Sequence, residues 1–148
     1  MALPGAPAAR ALLTPSSVVE GSAAARKKGS ALMILIVDDD NNITRSLRKA
    51  LVRRGFDVMV AANGVEAYGL IRAHDCSCML LDVNMPKISG VELLLLMQAD
   101  GIEVPTIVMA GFSDFEEEEM ARFGNVVKLF NKPFDLGEMV DAVGKYAA

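Results

Sequence analysis

Residues 79–90 read MLLDVNMPKISG, and this stretch decides the fold. Met79, Leu80 and Leu81 form an apolar run that delivers one carboxylate, Asp82, directly into a Met-Pro turn. The run is too short and unbroken for a surface helix, so it predicts a strand buried on both faces, as in a parallel sheet. Pro86 has no N–H to give to a ladder and ends the strand. Ser89 then caps an apolar helix over 91–97. Asp82 therefore stands where a strand ends and a loop begins, the position at which open α/β sheets hold their ligands.

Working outward, the chain alternates strand and helix signals. Residues 34–37 are an apolar run ending in Asp38, Asp39 and Asp40. Asn42 is the expected cap of a helix with Ile43, Leu47, Ala50 and Leu51 on one face, closed by Arg53, Arg54 and Gly55. Phe56, Val58 and Val60 alternate as a second strand, and Asn63-Gly64 turns into a helix ending near His74, read as a solvated terminal residue. The third strand is 78–81, the fourth 106–109 after a loop framed by Gly101 and Pro105, and the fifth 126–130. A charged helix is expected over 115–122, where Glu116 to Glu119 favour a solvated helix start. Asp135 and Glu138 form a capping box for a last helix with Leu136, Met139, Val140 and Val143 inward. Five successive βα units predict an α/β fold, a five-stranded parallel sheet with helices on both faces.

With 148 residues, 52% of them hydrophobic, the chain suits one domain over 31–148 with a sizeable core. Residues 1–30, rich in Ala, Pro, Ser and Gly, lack periodicity and are expected to be a disordered tail, with Met33 a candidate start. That tail holds Arg10, Arg26, Lys27 and Lys28 against Glu20 alone, so the acid excess behind the net charge of −4 lies in the domain. An acidic domain argues against direct nucleic-acid binding, which relies on a basic surface. No stretch is long and apolar enough for a membrane span, and a cytoplasmic location is expected. Cys76 and Cys78 match neither a redox nor a zinc spacing and are expected as core residues sharing one strand face in a reducing compartment.

Asp38, Asp39 and Asp82 all close strands. If those strands are neighbours, the three acids converge within about 5–10 Å. So placed they repel one another, and a hard divalent cation with oxygen ligands, Mg2+, relieves the repulsion. Lys132 ends the fifth strand and brings a positive charge to the same edge. Acids, metal and lysine together suit phosphoryl transfer.

The runs ILIVDDD over 34–40, LLDVNMPKISG over 80–90 and NKPF over 131–134 resemble the receiver domain of bacterial two-component response regulators. The resemblance implies a flavodoxin-like sheet of strand order 2-1-3-4-5 and a signalling module rather than an enzyme. It implies Asp82 as phosphoacceptor, Asp39 and Asp82 as direct Mg2+ ligands, Asp38 acting through water and Asn84 giving its backbone carbonyl. Lys132 would contact the phosphoryl group, with a cis bond to Pro133. The implied partners are a histidine kinase or phosphotransfer protein and, as in the single-domain chemotaxis regulator, a separate downstream protein.

Two positions depart from the family. Ala110 stands where receivers carry Ser or Thr, and Leu129 where a Tyr or Phe moves on activation; Phe130 points to the opposite face. A degenerate receiver that binds a partner independently of phosphorylation is the alternative. A haloacid-dehalogenase-like phosphatase, with Asp38 as nucleophile and Asp40 as acid/base, also needs the hydroxyl that Ala110 lacks.

Overall fold

The computed structural model describes Val19–Glu20 and residues 32–85, 87–111 and 116–147. Its elements run β1 Val19–Glu20, β2 Met33–Val37, α1 Asn41–Arg53, β3 Asp57–Ala61, α2 Gly64–Ala73, β4 Cys78–Asp82, α3 Gly90–Ala99, β5 Thr106–Ala110, α4 Glu117–Met120, β6 Val126–Asn131 and α5 Leu136–Ala147. The five parallel strands lie in the order β3-β2-β4-β5-β6, which is 2-1-3-4-5 when they are counted alone.

The strand signals are strong because β2, β4 and β5 are covered on both faces, so no polar alternation interrupts them. Leu35, Val37, Met79, Leu81 and Val108 pack toward α2 and α3 with Leu70, Leu93, Leu94 and Met97. Ile34, Ile36, Leu80, Ile107 and Met109 pack the other way, against Leu47 and Leu51 of α1 and Met139, Val140 and Val143 of α5. Helices therefore cover both faces, and no helix among the described residues is long and apolar enough to cross a membrane.

Several local expectations change. The tail expected over 1–30 lies outside the described residues except for Val19–Glu20, which joins the sheet antiparallel to β3. That edge strand has backbone groups open to any passing segment, and a two-residue ladder needs no sequence pattern. The cap of α1 is Asp40, whose carboxylate accepts from the N–H groups of Asn42 and Ile43, so Asn42 lies inside the helix. Two adjacent cap-forming residue types made the start ambiguous. Leu136 is 37% exposed rather than inward, because it starts α5 before the helix closes on the sheet. The expected helix over 115–122 shortens to α4, with Phe115 outside the described residues, as is Pro86 of the Met-Pro turn. Cys76 precedes β4 and packs with the α2–α3 cluster, whereas Cys78 packs toward α1 and α5, so the two do not share a face. Burial pushes both thiols up to about 12, which keeps them protonated and unreactive at neutral pH.

Two glycines hold the end of β4 in place. A Cβ on Gly90 would sit 2.5 Å from Val83 Cα and 2.6 Å from Asp82 O, and one on Gly64 would sit 2.7 Å from Ile88 O. The first turns of α2 and α3 thus press on the backbone of the loop that follows Asp82. Gly144, within α5, has nothing within 4 Å of such an atom. Gly90→Ala is expected to destabilise the fold by about 1–3 kcal/mol. Gly144→Ala should stabilise it by up to about 1 kcal/mol. Denaturant unfolding of the two variants measures the contrast, and equal effects would contradict the close approach at Gly90.

Candidate functional site

The ladder register assembles the site. Val37 of β2 pairs with Leu81 of β4, so the next residues along, Asp38 and Asp82, come out side by side. Asp82 in turn pairs with Met109 of β5, and Ala110 pairs with Asn131 of β6, the residue before Lys132. Lys132 is tied down by its own N–H, which donates to Ala110 O at 2.7 Å. Four strand ends thus present their side chains at one edge, the carboxyl edge of the sheet.

Carboxylate oxygens of Asp38, Asp39 and Asp82 lie within 4.8 Å of one another. Asp38 and Asp82 are almost fully buried, at 1% and 4% exposure, while Asp39 is exposed. The Lys132 ammonium lies 3.0 Å from Asp38 Oδ2 and 3.5 Å from Asp82 Oδ2. Asp38 Oδ1 accepts from the Asp40 N–H at 2.9 Å, and Asp82 Oδ1 from the Asn84 N–H at 3.1 Å. The Asp40 side chain, spent on capping α1, stays out of the cluster.

The charges are unbalanced, with three acids facing one base. Burial, followed by the neighbouring Asp38, pushes the Asp82 carboxyl up to about 6, against the lowering effect of the Asn84 N–H and Lys132. Burial alone would lower the Lys132 ammonium, but the hydrogen bond and charge of Asp38, with the charge of Asp82, outweigh it and raise it overall. The lysine stays charged, and Asp82 is a carboxylate held in an environment that favours its neutral form. A reacting group that brings countercharge, or a cation, is accommodated here better than the bare cluster.

The remaining candidates lie apart or are altered. The Lys132–Pro133 peptide bond is cis. Ala110 is fully buried and offers no side-chain hydrogen bond; Leu129, half-buried, shares its side of the sheet, and Phe130 packs on the other. His74 closes α2 through its N–H to Leu70 O, at the opposite end of that helix from the loop after Asp82. The positioning roles of Gly90, Gly64 and the Asp40 cap escaped the sequence reading; a glycine opening each of two helices, where propensity disfavours it, was the available signal.

Because the Asp82 value is raised in the folded state, the stability tied to that group is complete below about pH 4 and is lost as pH rises through about 6. In divalent-free buffer Asp82→Asn should therefore be more stable than wild type by about 1–3 kcal/mol near pH 7.5. The advantage should shrink toward pH 4. Urea unfolding at both pH values checks this, and an advantage independent of pH would contradict it.

Against known proteins, a family model described as the response regulator receiver domain matches residues 34–144. Sporulation initiation phosphotransferase F of Bacillus subtilis (strain 168) is 31% identical over 100 residues, which cover 68% of this chain and 81% of that protein. Response regulator MprA of Mycobacterium sp. (strain KMS) is 33% identical over 98 residues, covering 66% of this chain but 43% of MprA, so the chain spans less than half of that relative. Among solved structures, response regulator protein TrrA of Thermotoga maritima, in complex with Mg(2+)-BeF, superposes with a TM-score of 0.68 at 26% identity, over 78% of this chain and 98% of that one.

Proposed function

The chain belongs to the response regulator receiver domain family of two-component systems, and from that premise we propose that it accepts a phosphoryl group on Asp82 from a phosphohistidine donor, with Mg2+ bound. The observation that carries this reading is the Lys132 ammonium set between two buried carboxylates at the strand ends. In the transfer a bond forms between an Asp82 carboxylate oxygen and phosphorus while the bond from phosphorus to the imidazole nitrogen breaks. The freed imidazole takes its proton from solvent.

The donor set fits a hard cation, since three carboxylates converge with too little positive charge among them. Asp39 and Asp82 would hold Mg2+ directly, Asn84 through its backbone carbonyl and Asp38 through water. When bound, Mg2+ supplies charge neutralisation between the carboxylates and the incoming phosphoryl oxygens. The complex of TrrA with Mg2+ and BeF supports the same metal here. Lys132 binds and orients a phosphoryl oxygen, releasing its contact with Asp82 as the acyl phosphate forms. The product is a stored signal on Asp82 rather than a turned-over substrate, so the chain acts as a signalling module in the cytoplasm through a partner protein. The domain proper is taken as 31–148.

Phosphorylation with acetyl phosphate and Mg2+ should add one phosphoryl group by intact mass, and Asp82→Asn should abolish it. Asp39→Ala should weaken Mg2+ binding at least tenfold more than Asp40→Ala, since Asp40 is spent on the helix cap. Unchanged labelling in Asp82→Asn contradicts the acceptor assignment, and equal metal losses contradict the ligand set.

Ala110 cannot give the hydroxyl that would hydrogen-bond a phosphoryl oxygen, a charge-assisted bond worth about 1.5–3 kcal/mol. Phosphorylation is therefore expected to shift α4 and β6 weakly, and Ala110→Thr to increase the shift, further so with Leu129→Tyr. Amide NMR shifts over 116–132 on adding beryllofluoride and Mg2+ measure it. A large concerted change in wild type, undiminished relative to Ala110→Thr, would contradict the expectation.

A further inference from the structure

We propose that the outer edge of β3 is a pairing surface for a second copy of this chain, and that β1 covers it in cis and keeps the chain monomeric. The two edges of the sheet are guarded differently. At the β6 edge the ladder to β5 skips Val127, and the next residue, Lys128, is exposed. A bulge and an edge lysine are both devices that stop an edge strand from recruiting another chain. β3 reads DVMVA and has neither. It carries no proline and no lysine, its one charged residue, Asp57, is buried, and its ladder to β2 runs without a shift. What pairs with its outer side, among the described residues, is the two-residue β1.

Backbone direction shows why a second copy fits. The Asp57 N–H donates to Leu32 O and Ala61 O accepts the Asp38 N–H, so Asp57 and Ala61 turn their backbone groups toward β2. With a period of two, Val58 and Val60 turn theirs outward. β1 is antiparallel and places Glu20 opposite Val58, which leaves Val60 beyond the paired residues. Two β3 strands laid antiparallel, with Met59 on the two-fold axis, set Val58 of each copy against Val60 of the other. Both positions face outward, so each pair exchanges two hydrogen bonds and the contact is self-complementary, as a two-fold axis requires. Such a pair sends the two carboxylate clusters to opposite ends and leaves both open. In the intact chain the cis cap wins. Glu20 lies opposite Val58 and Met33 opposite Asp57, so the chain between them has about two strand spacings, roughly 10 Å, to cross. Residues 21–32 reach that far without strain, which gives β1 a high effective concentration at its own edge. Arg45 and Arg48 line a cleft with Val60, and pairing would bring both sets of cations to one face beside the axis. That repulsion opposes pairing at low salt and is screened at high salt.

The test is self-association of the full chain, followed by sedimentation velocity. Glu20→Pro deletes the N–H that faces Val58 and releases β1, whereas Glu20→Thr keeps that N–H and serves as control. Glu20→Pro should form dimers with a dissociation constant at least about tenfold below that of wild type and of Glu20→Thr, tightening further at high salt. The double variant Val19→Gly, Glu20→Gly weakens β1 without a proline and should move association the same way. In Glu20→Pro the Val60 amide should exchange more slowly with solvent as protein concentration rises. Adding Val60→Pro, which removes an outward N–H and spares the ladder to β2, should return the chain to monomer. Both β1 variants remaining monomeric would overturn the proposal, as would Val60 exchange independent of concentration or a dimer that survives Val60→Pro. A wild-type dimer lost on Glu20→Pro would show β1 exchanged between copies, and would overturn the cap in cis.

Discussion

One ammonium group, that of Lys132, stands between the buried carboxylates of Asp38 and Asp82, and the surrounding structure holds the three together. Like charges this close, out of water, drive each other toward the neutral form unless a countercharge is fixed nearby. The countercharge comes from a strand two places away from the one that carries Asp82, so the sheet must keep its order and register for the site to exist. A slip of one residue between β2 and β4 would turn one carboxylate to the other face. Dense apolar packing on both sides of these strands prevents that slip, which is how the core specifies the chemistry at its edge.

The loop after Asp82 shows the same dependence at shorter range. Gly64 and Gly90 let two helices close against it, and Asp82 accepts the Asn84 N–H within it. Asp40 ends the β2 loop by capping α1, and its own N–H fixes Asp38. Backbone hydrogen bonds and close contacts thereby orient both buried acids before any ligand arrives. The cluster remains short of positive charge, and this deficit accounts for both the raised Asp82 value and the fit to a divalent cation.

Much of this was legible in the sequence because buried parallel strands leave unbroken apolar runs and the site residues are appended to their ends. Residues 34–40 and 79–82 announce their strands and their acids in one reading. Pairings across the sheet were less legible. That Lys132 lies closer to Asp38 than to Asp82 depends on sheet geometry, and no spacing in the chain encodes it. The Val19–Glu20 strand is held by backbone groups and leaves no side-chain pattern. A two-residue spacing puts Cys76 and Cys78 on one face only if both lie on extended strand, whereas Cys76 precedes β4, which starts at Cys78.

The central claim is that the cluster of Asp38, Asp39 and Asp82 is an electrostatically frustrated site completed by a divalent cation. A ligand that binds the folded state alone raises stability with the logarithm of its concentration once its dissociation constant is exceeded. The most direct measurement is the thermal midpoint of the wild-type chain against Mg2+ concentration, at constant ionic strength, beside that of Asp39→Asn. A midpoint that climbs steadily in the wild type and stays nearly flat in Asp39→Asn is the predicted result. Flat curves in both, or parallel climbs in both, would contradict it.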